Sequence, residues 1–149
     1  TGSWAGAMGQ CQFMPSSFIN YATDWNKDGS KNIWTSKPDV FASAANYLKR
    51  VGWSNKITWG RKVFIGNHKV KIDEKKYNLL SYWSSKGILK ANKKKLPNVE
   101  LKARLIIPDG YKNYGYLAYK NFDSLLNWNR SNYFAIAVGT LADAIKENI

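Results

Sequence analysis

Gly2-Ser3-Trp4-Ala5-Gly6-Ala7-Met8-Gly9-Gln10-Cys11-Gln12-Phe13-Met14-Pro15-Ser16-Ser17 is too rich in glycine for an ordinary helix and too apolar for an ordinary solvated loop. Small residues beside Gln12 and aromatic rings predict a lining where a ligand comes close to backbone, since glycine has no Cβ to hold it off. Just downstream, Asp24-Trp25-Asn26-Lys27-Asp28-Gly29-Ser30-Lys31-Asn32 sets oxygen-bearing side chains at alternate positions of a loop that turns at a glycine. A hard cation such as calcium takes about six to eight oxygens, and short loops of this spacing supply them. In the full EF-hand pattern the last loop position is a bidentate Glu. Here that position is Thr35, and Asp39, at the start of the next helix, is placed to supply the missing carboxylate. Asp, Asn, Ser and Gly also build metal-free turns, so the loop alone leaves both readings open.

The chain has 149 residues. That is one domain, or one with a small insertion, and enough to bury roughly two-thirds of the unfolded surface. No stretch approaches the ~20 apolar residues of a membrane span, and no leader is recognisable; Thr1-Gly2 reads as the start of a cut or processed chain. A single cysteine, Cys11, excludes an internal disulfide. The formal charge is +13, and 15 of the 23 Lys and Arg residues fall between Lys56 and Lys112. Such an excess favours a polyanionic partner: nucleic acid, an acidic membrane surface or an anionic cell-wall polymer. Seven Trp, nine Tyr and six Phe suit stacking on bases or sugars alike.

Along the chain, Pro15 to Ala22 reads as a short helix leading into the cation loop. Ser36-Lys37-Pro38-Asp39 marks a helix start, with Ser36 as N-cap and proline in the first turn. Phe41, Ala44, Ala45 and Leu48 recur at helical spacing as its buried stripe, with Asn46 facing away and Tyr47 at the edge. That helix ends near Val51-Gly52. Ile57–Ile65 reads as a strand, Asn67-His68 as a turn, and Lys69–Ile72 as a shorter strand. Tyr77–Trp83 reads as a helix stopping near Gly87. Leu101–Ile107 and Gly115–Tyr119 read as strands around a Pro108-Asp109-Gly110 turn. Asn121–Leu126 reads as a short helix, and Phe134, Val138, Leu141 and Ile145 mark a closing amphipathic helix. The elements read as α+β. Parts 1–53 and 121–149 are helical and flank a basic β-containing insertion at 54–120.

The chemistry-bearing residues are few. Glu74, Glu100 and Glu147 are the only glutamates, and each sits among lysines or near the end of the chain. His68 is the only histidine and falls in a turn. Cys11 has no evident base and reads as a small packed residue. No CxxC, HExxH or phosphate-binding GxxxxGK[ST] pattern occurs. Asn127-Trp128-Asn129-Arg130-Ser131 is the second suggestive cluster. Ser131 reads as an N-cap of the last helix, and Trp128 and Asn129 fall near that helix start, where polar groups can face a cleft.

The run Gly2 to Gly9 followed by Gln12-Phe13-Met14-Pro15-Ser16-Ser17 closely resembles the membrane-bound lytic murein transglycosylase B family. The Asp24–Asn32 loop, Ala45-Asn46-Tyr47-Leu48, Gly52-Trp53 and Trp128-Asn129-Arg130-Ser131 follow in that family's order. The resemblance covers essentially the whole chain. It implies a lysozyme-like, mainly helical α+β domain with a small β-containing part, which cleaves the MurNAc-β-1,4-GlcNAc bond of peptidoglycan and leaves 1,6-anhydroMurNAc ends. One glutamate serves first as acid and then as base, unlike the two-carboxylate scheme of most glycosidases. In the family that glutamate precedes the glycine-rich motif, so it is expected upstream of residue 1, and the chain alone is expected to be inactive.

By position, the resemblance implies that Ser3 and Tyr47 help orient that glutamate and that Gln12, Phe13, Trp128 and Asn129 line the sugar site. It implies a structural calcium held by Asp24, Asn26, Asp28, Ser30 (through its backbone carbonyl) and Asp39. Trp128 and Phe134 stand where the family often has Tyr, so hydroxyl roles there are lost. The implied partner is the peptidoglycan glycan strand, with no nucleic acid and with membrane contact only through an upstream anchor. The implied state is a monomer in the periplasm or cell envelope. Two rival readings are a non-catalytic peptidoglycan-binding module, and a nucleic-acid binder suggested by charge and rings but lacking any recognition motif.

Overall fold

A computed structural model describes residues 2–66, 73, 75–108 and 112–148. His68, the Lys69–Ile72 strand, Glu74 and the Asp109-Gly110 turn lie outside them. The chain divides into two units, Thr1–Trp53 and Ser54–Ile149.

The first unit carries α1 (Pro15–Tyr21) and α2 (Lys37–Arg50). Proline at the first position of α1 loses nothing, because that N–H would have no helical partner. Ser36 is the N-cap of α2 and Val51 the C-cap, as the sequence predicts. The buried face of α2 differs from the predicted stripe. Asp39 and Ser43 are fully buried, whereas Phe41 is 71% exposed, Ala45 is exposed, and Ala44 and Leu48 are half-buried. Backbone satisfaction explains the change. The inward positions of α2 face chain that has no helix or sheet partner, so hydrogen-bonding side chains stand where apolar ones were expected. The Thr23 N–H donates to Ser43 Oγ at 2.9 Å. Asn46, instead of facing away, donates from Nδ2 to the Tyr21 carbonyl at 2.8 Å.

The second unit is an antiparallel sheet with three helices. β1 (Gly60–Phe64), β2 (Asn78–Leu79), β3 (Leu89–Lys90), β4 (Lys102–Ile106) and β5 (Tyr114–Ala118) lie in the order β2-β4-β5-β1-β3. Gly60 pairs with Ala118 and Phe64 with Tyr114. Val63, Leu80, Trp83, Ile88, Leu105 and Leu117 form the centre of the core. Two boundaries and one burial pattern differ from expectation. The first strand starts at Gly60, because residues 54–57 are held by Asn121: its Oδ1 accepts from Ser54 N–H, and its Nδ2 donates to the Ser54 and Ile57 carbonyls, all at 2.8 Å. The helix expected from Tyr77 is α3 (Leu80–Ser85), since Asn78 and Leu79 pair with β4. The predicted alternation of Leu101–Ile107 fails, because Ala103, Arg104, Leu105 and Ile106 are all buried. On the Arg104 side, Asp123 accepts from Arg104 at 3.2 Å, from Tyr77 at 3.0 Å and from Lys120 at 2.7 Å.

α4 (Lys120–Trp128) and α5 (Asn132–Glu147) close the unit. Ser131 caps α5 as expected, accepting from Phe134 N–H at 3.3 Å. The buried face of α5 is Ala135, Ile136 and Gly139, whereas Val138, Leu141 and Ile145 are exposed. The cause is Trp59. Its ring occupies the place a Cβ on Gly139 would take, and its Nε1 donates to Asp143 at 3.0 Å. The helix is thereby rotated away from the stripe.

Candidate functional site: the glycine coil and the acidic loop

The glycine-rich run folds as a tight coil. Gly2 bridges Met8, and Met8 bridges Phe13. Ser3 N–H donates to the Ala7 carbonyl at 2.8 Å, and Met8 and Phe13 exchange backbone bonds at 2.8 and 3.0 Å. Glycine is required at Gly9, where φ is +64° and an added Cβ would meet the Ile33 carbonyl oxygen at 2.7 Å. What comes close to the backbone at Gly9 is thus the chain's own residue 33. At Gly6, φ is +90° and the nearest atoms to an added Cβ lie 4.0 Å away, so conformation alone demands glycine.

Ser3 and Gln12 are exposed on this coil. Ser3 Oγ accepts from Ala7 N–H at 3.1 Å, and Gln12, itself in the left-handed region at φ +50°, donates from Nε2 to the Gly9 carbonyl at 2.8 Å. The Gln12 carbonyl oxygen remains an acceptor. Phe13 is 3% exposed and packs 5.8 Å from the Tyr47 ring, which meets Tyr21 edge-on at 4.8 Å. Burial, and then Tyr21, push the Tyr47 phenol above its ordinary pKa, so it stays a protonated donor at neutral pH. Cys11 is buried and donates to the Val40 carbonyl at 3.4 Å; burial pushes its thiol up, as suits a packed residue.

The acidic loop is ordered by its own backbone. Asp24 Oδ1 accepts from Asp28 N–H at 3.2 Å and Oδ2 from Gly29 N–H at 2.9 Å. Asp28 accepts from Ser30 N–H and from the Asn26 amide, both at 2.9 Å. Asp39 closes the loop onto α2, accepting from Trp25 N–H at 2.8 Å and Asn32 N–H at 3.0 Å. The Trp25 N–H, aided by Asn32, Asn26 and the Ser36 hydroxyl, holds the Asp39 carboxyl below the usual carboxylate range despite its burial. Three carboxylates and an amide oxygen on one short stretch are the hard donors calcium takes, and none of the three is ion-paired among the described residues. The fit is therefore one of donor type and charge. Among the described residues no three acidic side chains converge on one point.

Coil and loop are joined through residues the sequence reading passed over. Gln10 N–H donates to the Ile33 carbonyl at 2.9 Å, and Gln10 Nε2 to the Trp34 carbonyl at 2.8 Å. Tyr21 was missed as well. Its ring and its carbonyl hold Tyr47 and Asn46, and only a fold reveals that, since it sits at a helix end without periodic signal. In the second unit, Asn129 is the exposed C-cap of α4 and Trp128 is half-buried beside it. Glu100 and Glu147 are exposed.

The Transglycosylase SLT domain family matches residues 1–143. The chain belongs to this family. It is 33% identical to membrane-bound lytic murein transglycosylase B of Escherichia coli strain K12, over 97% of this chain and 39% of the relative. SltB3 of Pseudomonas aeruginosa, crystallised with NAG-anhNAM-pentapeptide, superimposes at a TM-score of 0.90 with 38% identity, over 98% of this chain and 40% of its own. The Escherichia coli lytic transglycosylase SLT35 in complex with calcium superimposes at a TM-score of 0.80 with 31% identity, over 99% of this chain and 46% of its own. The fold is thus the lysozyme-like lytic transglycosylase fold, in its α+β form. The chain spans 39–46% of the length of these three relatives.

Proposed function

We propose that this chain forms part of a peptidoglycan lytic transglycosylase of the cell envelope or periplasm, one that cleaves the MurNAc-β-1,4-GlcNAc bond and leaves 1,6-anhydroMurNAc ends. The observation that carries the reading is the Gly2–Phe13 coil, which holds Ser3 and Gln12 exposed and backs Tyr47 with Phe13, inside the matched SLT domain. Among the described residues the glutamates are surface groups. The acid–base carboxyl therefore comes from a part of the enzyme outside these residues. It protonates the leaving oxygen, then takes the proton of the sugar's own 6-hydroxyl as that oxygen closes the anhydro ring. Such a group works best with a raised pKa in a partly desolvated cleft.

The roles of this chain's residues follow from their chemistry. The protonated Tyr47 hydroxyl and the Ser3 hydroxyl donate to the carboxylate and orient it. Gln12 and Asn129 bond the sugar's acetamido and hydroxyl groups, Trp128 stacks on a ring face, and Phe13 holds Tyr47 in place. Asp24, Asn26, Asp28, the Ser30 carbonyl and Asp39 hold a calcium ion, which when bound fastens the loop to α2. The basic surface concentrates the enzyme on a carboxylate-bearing polymer.

The test is digestion of purified peptidoglycan with mass-spectrometric detection of anhydro-muropeptides, run beside sedimentation with the same polymer. The full-length protein should release them, while this chain should sediment without releasing any. Release by the 149-residue chain would refute the external carboxyl. Sedimentation of both with release by neither would favour a non-catalytic binding module, the reading that the exposed glutamates support.

A further inference from the structure

The second unit has a concavity that none of the roles above uses. It lies beside β1 and β3 and the loop that follows β3, with a volume of about 490 Å³, in the size range of small-ligand sites. Arg61, Lys62 and Lys90 bring three cations to its wall, while Val63, Leu96 and Pro97 give it an apolar face. No acidic side chain lines it among the described residues. Arg61 is half engaged, 3.4 Å from Asp143, and the Lys90 ammonium has no acidic partner among the described residues. Tyr119 also lines the site. It is 6% exposed, yet its hydroxyl has no hydrogen-bond partner among the described residues. That hydroxyl is not a buried orphan: it keeps access to solvent and is an available donor at the concavity. Burial raises its pKa, with Arg61 partly opposing, so it remains a donor.

These features select a ligand. Three cations and a phenol donor call for more than one anionic oxygen. The apolar face calls for an aliphatic body beside those oxygens. A neutral sugar leaves the Lys90 ammonium without a counter-charge, and a phosphodiester polymer offers little aliphatic surface to Leu96 and Pro97. A short peptide with free carboxylates and methyl-sized side chains satisfies both. We propose that this pocket binds the acidic peptide stem of peptidoglycan, with a carboxylate on Arg61, Lys90 and the Tyr119 hydroxyl. The identity of the ligand rests on the function proposed above. Bound there, the peptide anchors the strand through residues that take no part in the proposed sugar contacts, and stems lacking free carboxylates are poor anchors.

The test is calorimetric titration of the 149-residue chain with four probes: a synthetic stem pentapeptide with free carboxylates, the same peptide fully amidated, N-acetylchitotetraose and inorganic polyphosphate. The free-acid peptide should bind, and amidation should weaken it about tenfold or more, as loss of charge-assisted bonds does. Lys90→Glu and Tyr119→Phe should each weaken the peptide several-fold and leave chitotetraose unchanged. Equal affinity for acid and amide, or indifference to both variants, overturns the proposal. So does tighter binding of polyphosphate than of peptide at this site. The amide comparison needs no variant, so it decides the matter even if a substitution disturbs folding. Chitotetraose reports on the sugar site alone: its failure to bind while the peptide binds counts against the proposed function and not against the pocket.

Discussion

Gly9→Ala tests whether the coil is clamped to the acidic loop by close backbone contact. The substitution has two effects. Its φ of +64° places an L-residue in the left-handed region, which costs about 1–2 kcal/mol. Its Cβ would then stand 2.6 Å from Ile33 Cγ1 and 2.7 Å from the Ile33 carbonyl oxygen, an overpacking worth about 1–3 kcal/mol more. Gly29→Ala isolates the first effect, since φ there is +89° and nothing lies within 4 Å of the added atom. The expected losses are about 2–5 kcal/mol for Gly9→Ala and about 1–2 kcal/mol for Gly29→Ala. Equilibrium urea denaturation of the chain with chelator present, compared at constant m, measures both. Peptidoglycan sedimentation of Gly9→Ala adds a functional reading, because the Gly9 carbonyl holds both the backbone N–H and the side chain of Gln12. A difference between the two variants of under about 0.5 kcal/mol, the scale of an ordinary surface change, would refute the clamp.

Asn121→Ala removes three hydrogen bonds at a fully buried site and should destabilise the second unit by about 3–5 kcal/mol in the same assay. Gly139→Ala drives a methyl into the Trp59 ring and should lose about 1–3 kcal/mol, with a change in tryptophan fluorescence. Asp39→Asn should abolish any calcium-induced rise in melting temperature. It should also flatten the acid limb of stability. The native Asp39 carboxyl titrates below its unfolded value of about 3.9, so its contribution is full above that value and is lost as pH falls through the lower folded one. An unchanged acid limb in the variant would remove Asp39 from that role.

Helix ends were legible because they are written locally. Ser36, Pro38 and Val51-Gly52 bracket α2, and Ser131 opens α5. Helix faces were not, because an apolar stripe was equated with the inside. α2 buries Asp39 and Ser43 to satisfy loop backbone, and α5 turns Gly139 inward to admit Trp59, leaving Leu141 outside. Such choices depend on partners remote in sequence, as does the start of β1, set by Asn121 from 67 residues away. At the site, the membership of Asp39 in the acidic loop could be read from spacing alone. The Gly9–Ile33 contact could be foreseen only as a need for closeness, its partner unknown. The cluster of Arg61, Lys90 and Tyr119 has no sequence signature, because β1, β3 and the end of β5 must assemble before it exists.

The pairing of β1 with β5 sets an order of assembly. Every contact that closes the first unit is available once residue 53 has left the ribosome. In the second, Gly60–Phe64 has no central neighbour until Tyr114–Ala118 has been synthesised. Long-range antiparallel pairing of this kind is slow, and a strand edge left waiting invites association with other nascent chains. The basic segment made in the interval keeps that waiting intermediate strongly cationic, and mutual repulsion between copies opposes such association while the sheet is incomplete.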